Sequence, residues 1–153
     1  MRSRGIVPVI MMTAIGALLG AGIAAATPGA GVSRNQLGKG TVADPISIQT
    51  SAPSDFHIDN VTVAPGGYSG WHTHPGTELT IVKSGALTLF DTRNPDCKPR
   101  TISAGGGLFI PGGTVHAARN NGDKPVELYV TYIVPVGEPV RAESDKPGNC
   151  PDS

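Results

Sequence analysis

Residues 66–85 read G-G-Y-S-G-W-H-T-H-P-G-T-E-L-T-I-V-K-S-G and carry His72, His74 and Glu78 in close succession. Residues 105–120 read G-G-G-L-F-I-P-G-G-T-V-H-A-A-R-N and supply His116. Side chains alternate between the two faces of an extended strand, so His72 and His74 point one way while Trp71 and Thr73 point the other. Pro75-Gly76 is a turn dipeptide, and Glu78 then opens a new run, E-L-T-I-V, that can lie beside the first strand. His116 follows P-G-G, a further turn signal, and can arrive from a neighbouring strand of a closed sheet. Three imidazoles and one carboxylate in these positions make a metal site.

The two stretches resemble the paired motifs of the cupin family. Gly66, His72, His74, Glu78 and Gly85 match G-x5-H-x-H-x3-E-x6-G without a gap, and Gly105, Pro111, Gly113, His116 and Asn120 match G-x5-P-x-G-x2-H-x3-N. The resemblance implies an all-β, single-domain jelly-roll barrel, or double-stranded β-helix, with His72, His74, Glu78 and His116 binding one divalent transition-metal ion. Mn, Fe, Zn, Cu and Ni are all compatible with three nitrogens and one oxygen. Four protein ligands on a six-coordinate ion leave two positions for water, substrate or dioxygen. Cupins include dioxygenases, decarboxylases, isomerases and proteins that only bind ligands, so the fold does not fix a reaction.

Composition fits one small domain. With 153 residues, 21 Gly and 14 Pro, the chain suits many short strands joined by tight turns. Expected strands cover 46–48, 56–63, 79–82, 86–90, 107–110, 114–118 and 126–134, with a bend or bulge at Asp59-Asn60. Little helix is expected beyond residue 26.

Ahead of this domain, Arg2 and Arg4 precede an apolar run that ends in A-A-A-T, with Ala24 and Ala26 fitting a small-x-small cleavage site. Residues 1–26 therefore read as a secretory signal peptide, and the alternative is a membrane anchor formed by residues 5–26. Residues 27–44 read as a flexible linker, 45–136 as the cupin domain and 137–153 as a tail. Cys97 and Cys150 are the two cysteines, and in an exported chain such a pair forms a bridge more often than two free thiols, here tethering the tail. The expected location is secreted or extracytoplasmic.

Loss of the leader leaves 10 basic and 12 acidic residues, and no Lys/Arg cluster resembles a phosphate-tracking patch, so nucleic acid is not an expected partner. No membrane association is expected after cleavage. A homodimer is reasonable from exposed sheet edges. His57, in D-F-H-I-D, has no motif partner and reads as an ordinary strand histidine.

The residues expected to share a face with the ligands, Gly70, Thr80, Val82, Thr114 and Ala118, include no good general acid or base. Two functions follow. One is a secreted metal-dependent enzyme, dioxygenase- or oxidoreductase-like, acting on a small chelating molecule, with no catalytic residue assigned beyond the ligands. The other is a non-catalytic module that binds a metal or a small ligand.

Overall fold

The computed structural model describes residues 29–151, and residues 35 onward belong to one compact unit. Ten strands follow in chain order: β1 (Thr41–Val42), β2 (Ser54–Val63), β3 (His72–Thr73), β4 (Thr77–Ser84), β5 (Ala86–Asp91), β6 (Arg100–Ser103), β7 (Gly106–Ile110), β8 (His116–Arg119), β9 (Val126–Pro135) and β10 (Ala142–Glu143). No helix occurs among the described residues. Two five-stranded sheets, ordered β1-β7-β4-β9-β2 and β10-β3-β8-β5-β6, make the jelly roll. The first residues, including the expected signal segment 1–26, lie outside the described residues.

Period-two alternation explains how the sheets close on each other. In β4, Glu78, Thr80 and Val82 are buried while the residues between them are only partly covered. Val82, Leu87, Leu89, Leu108, Val126 and Leu128, drawn from both sheets, form the central core. Each such side chain contributes roughly 2 kcal/mol by leaving water. A second, smaller cluster of Trp71, Phe90, Val115, Ala117 and the two cysteines packs together around the Cys97–Cys150 disulfide. The bridge spans 53 residues, a loop whose closure entropy corresponds to about 4 kcal/mol.

Several expectations change. Residues 46–48 form no strand, and Ile46 and Ile48 are exposed, because their alternation finds no partner strand to pair with. No bulge interrupts β2 at Asp59-Asn60. It pairs with β9 in unbroken register from Ser54↔Pro135 to Val63↔Val126. What changes there is which face is apolar: Phe56 and Ile58 are exposed, whereas Val61 and Val63 pack against the core. The pairing irregularity lies in β4, between Val82 and Ser84. Strands also occur outside 45–136: β1 pairs in parallel with β7, and β10 pairs with β3, so both flanking segments extend the sheets.

Two glycines hold the motif strands in place. Gly85, at φ +80°, turns β4 into β5 in a conformation that L side chains rarely adopt. Gly76, in the turn before β4, has no room for a side chain, since a Cβ would overlap the Ile133 carbonyl oxygen. Asn120, the last residue of the second motif, is buried away from the histidines. Its Nδ2 donates to the Val63 and Lys124 carbonyls and its Oδ1 accepts from Gly122 N–H, which clamps the turn between β8 and β9.

Gly76→Ala should therefore destabilise the fold by about 3 kcal/mol, because backbone rather than a flexible side chain must give way. Urea unfolding of the two proteins checks this; equal midpoints would mean that the turn is loosely packed.

Candidate metal centre

Each sheet delivers part of the site. His72 and His116 are register partners across β3 and β8, while Glu78 and Tyr132 are partners across β4 and β9. Residues paired in this way share a face, so both pairs point into the space between the sheets. His74 follows β3 directly, and the turn at Pro75-Gly76 is pinned to the P-G-G turn by a hydrogen bond from Gly113 N–H to the His74 carbonyl, 2.8 Å. His72, His74, Glu78 and His116 are all buried.

The ligating atoms of His72, His74 and His116 lie within 4.8 Å of one another. Glu78 Oε2 is 3.0 Å from His74 Nε2 and 3.3 Å from His116 Nε2. The three rings present the same edge to this centre for a definite reason. Nδ1 of His72 lies 3.0 Å from the Gly70 carbonyl, Nδ1 of His116 lies 3.0 Å from the Thr114 carbonyl, and Nδ1 of His74 lies 2.7 Å from the Val140 carbonyl. A carbonyl only accepts, so each Nδ1 carries the proton, and each neutral ring aims an Nε2 lone pair inward. His74 Nε2 is buried and makes no hydrogen bond.

Lone pairs packed against a carboxylate repel unless positive charge lies between them. The cluster therefore fits a cation, and its nitrogen and oxygen donors are those of a first-row transition metal. These three histidines could hold such an ion. Thr80 Oγ1 donates to Glu78 Oε1 at 2.5 Å and orients the carboxylate from outside the cluster.

Electrostatics follow from this packing. Burial opposes charge on Glu78, but its contacts with His116 and His74 and the hydrogen bond from Thr80 outweigh it and hold the carboxyl below the usual carboxylate range. Burial, together with the neighbouring His116, pushes His72 down to about 4. Burial and the Glu78 carboxylate raise Tyr132, which keeps its phenol proton.

A cavity of about 130 Å³ opens from the cluster, lined by His72, Glu78 and His116, by apolar core residues, and by Ser69, Tyr132 and Arg141. The ring of Tyr132 packs 4.8 Å from that of His74. The sequence motifs mark neither Tyr132 nor Arg141; alternation along β9 points to the first, and no local pattern marks the second. Of the residues expected to share the ligand face, Ala118 lines the cavity, Thr80 supports Glu78 and Val82 belongs to the core. His57 lies opposite Tyr132 in the β2–β9 register and is not part of the cluster. Asp91 pairs with Arg93 and with Arg100, which also binds Asp44, and these residues close a separate polar cluster.

The family model described as the cupin domain matches residues 60–132, which include both sheets' contributions to this centre. Residues 60–132 are a cupin domain. This cupin is 40% identical over 77 residues to Germin-like protein 5-1 of Oryza sativa subsp. japonica, covering 49% of this chain and 35% of that protein. It is 35% identical over 95 residues to Germin-like protein subfamily T member 3 of Arabidopsis thaliana, covering 59% and 42%. The chain thus spans less than half the length of these curated relatives.

Among solved structures, a conserved protein with a double-stranded β-helix domain from Klebsiella pneumoniae matches with a TM-score of 0.50 and 24% identity, over 74% of this chain and 90% of that one. The DMSP lyase DddQ of Ruegeria pomeroyi matches with a TM-score of 0.51 and 24% identity, over 58% and 43%. At this identity the likeness is one of fold.

His72 gives the metal-free cupin a defined response to acid. The unfolded chain takes up a proton near the ordinary histidine value of 6.5, whereas the folded chain holds it off until about 4. Unfolding therefore binds a proton in that window, and stability falls as the pH drops through it, by on the order of 3 kcal/mol. Urea unfolding of metal-free protein at pH 7, 5.5 and 4.5 should show this loss, and His72→Gln should flatten it. An unaltered slope in the variant would place the titrating group elsewhere.

Proposed function

We propose that this cupin binds one divalent transition-metal ion through Nε2 of His72, His74 and His116 and the carboxylate of Glu78. We further propose that it acts on a small chelating molecule as a metal-dependent enzyme of oxidoreductase type, in an extracytoplasmic compartment. The observation that carries the reading is the set of three Nδ1-to-carbonyl hydrogen bonds, which leave each Nε2 free for the common centre, with those of His74 and His116 facing Glu78. When bound, the ion would supply Lewis-acid activation of a chelating oxygen and, for a redox-active metal, electron transfer.

The chain's own groups set the remaining conditions. Apolar walls lower the local dielectric of the cavity and strengthen charge interactions inside it. Tyr132 stays protonated and can donate a hydrogen bond to a bound oxygen atom. Ser69 Oγ is already engaged, donating to the Gly70 carbonyl and accepting from Ala118 N–H. Among the described residues lining the cavity, Glu78 is the one carboxylate, and the histidines are those of the cluster. No separate proton shuttle stands ready there, which favours chemistry centred on the metal over general acid–base catalysis. The same feature supports the second reading, a non-catalytic module that holds a metal or a small ligand.

An oxidising compartment is supported by the Cys97–Cys150 bridge and by the apolar leader of the sequence. No helix among the described residues is long and apolar enough to cross a membrane.

Metal content distinguishes the histidines. His74→Ala and His116→Ala should each abolish metal retention after dialysis, whereas His57→Ala should retain one ion per chain, as measured by elemental analysis. Equal loss in all three would refute the assignment. Oxygen uptake by manganese-, iron- or copper-loaded protein, offered catechols, diketones and small carboxylates, then separates enzyme from binding module. Uptake with one metal–substrate pair is expected for the enzyme, and silence across the panel would favour the module.

A further inference from the structure

Arg141 lies between β9 and β10, in a segment whose composition suggests only a tail, yet it lines the cavity beside His72, Glu78 and His116. We propose that Arg141 recognises a carboxylate group of the ligand at the mouth of the metal cavity, with Glu143 occupying its guanidinium when no ligand is bound. The proposal deepens the metal-site reading above and rests on it.

The guanidinium is held from one side and open on another. Its Nη2 donates to the Ser69 carbonyl at 2.7 Å, which ties it to the chain just ahead of His72. Nε and Nη2 also donate to Glu143 Oε1 and Oε2 at 2.7 and 2.9 Å. Nη1 makes no hydrogen bond to the protein among the described residues. The two partners differ sharply in exposure: the Glu143 side chain is 75% exposed and that of Arg141 34%. An exposed carboxylate in such a pair is held weakly, because water competes for it and its side chain loses freedom in holding one geometry. A ligand carboxylate can take its place in the fork of donors, or add at Nη1.

Position and charge point to the same ligand. Glu143 is the register partner of His72, and Arg141 lies two residues before it on β10's approach, so this pair stands over the histidine side of the site. Three neutral imidazoles and one carboxylate would leave a divalent ion with a formal charge of +1, and Arg141 adds another positive charge nearby. Both favour an anion. The cavity beyond is walled by residues such as Val61, Val63 and Leu128. Its volume of about 130 Å³ is that of about four waters. The ligand class that fits is a short carboxylate with an adjacent chelating oxygen and an apolar remainder, as in a 2-oxo acid of a few carbons.

The test is calorimetric titration of zinc-loaded protein with 2-oxobutanoate and with its uncharged counterpart 2-oxobutanamide, zinc being redox-inert so that binding alone is read. The unaltered protein should prefer the acid. Arg141→Gln should weaken acid binding about tenfold or more, leaving amide binding and zinc stoichiometry unchanged. Glu143→Gln should tighten acid binding, since it removes the competitor. The opposite signs matter, because a purely structural ion pair would lower affinity in both variants. Equal acid affinity in Arg141→Gln, weakening in Glu143→Gln, or no preference for the acid in the unaltered protein would overturn the proposal. Failure of the unaltered protein to hold zinc would instead overturn the metal assignment, and this proposal with it.

Discussion

The site depends on a proton held at the outer edge of each histidine. With Nδ1–H given to a backbone carbonyl, an imidazole can neither flip nor change tautomer without losing a buried hydrogen bond, so its Nε2 lone pair stays aimed at the centre. His72 and His116 use the same local device, a carbonyl two residues upstream. Each is thus oriented by its own strand entry. Glu78, braced by Thr80, faces these lone pairs from the opposite sheet. An arrangement that gathers three lone pairs and a carboxylate in a buried space is costly without a cation, and the barrel's core holds it together regardless.

His74 is the exception, and it links the centre to the end of the chain. Its carbonyl partner, Val140, lies 66 residues away, just ahead of Arg141 and β10. The same segment pairs with β3 and donates Ser144 N–H to the Trp71 carbonyl, 3.0 Å, before reaching Cys150. Trp71, Cys97 and Cys150 share one apolar cluster. One short piece of chain therefore orients a candidate ligand, places a guanidinium in the cavity and is fastened to the barrel by a covalent bond. The disulfide and the integrity of the site become connected through this fastening.

What could be read from the sequence was whatever depended on local spacing. His72 and His74 two residues apart, a turn dipeptide before Glu78 and a second turn before His116 each constrain the backbone within a few residues, and together they announce the cluster. The central strands were legible for the same reason, because one buried face imposes alternation. Alternation alone was not sufficient: Ile46 and Ile48 alternate with polar neighbours yet form no strand, since nothing pairs with them. In β2 the apolar residues change faces, which imitates a register shift although the pairing continues without a break. Val140, Arg141 and β10 were not legible, because a two-residue strand has no period and the importance of a backbone carbonyl leaves no mark on residue type. Asn120 looked like part of the site's motif; its hydrogen bonds show that it clamps a turn instead.

Long-range nitrogen–proton NMR correlation of the histidine rings, recorded on zinc-loaded protein, tests the central claim most directly, since it reports for each ring which nitrogen carries the proton and which binds the metal. The account predicts that His72, His74 and His116 all show a protonated Nδ1 and a metal-bound Nε2, while His57 shows no metal signature. Ligation through any Nδ1, or fewer than three metal-bound rings, would contradict it.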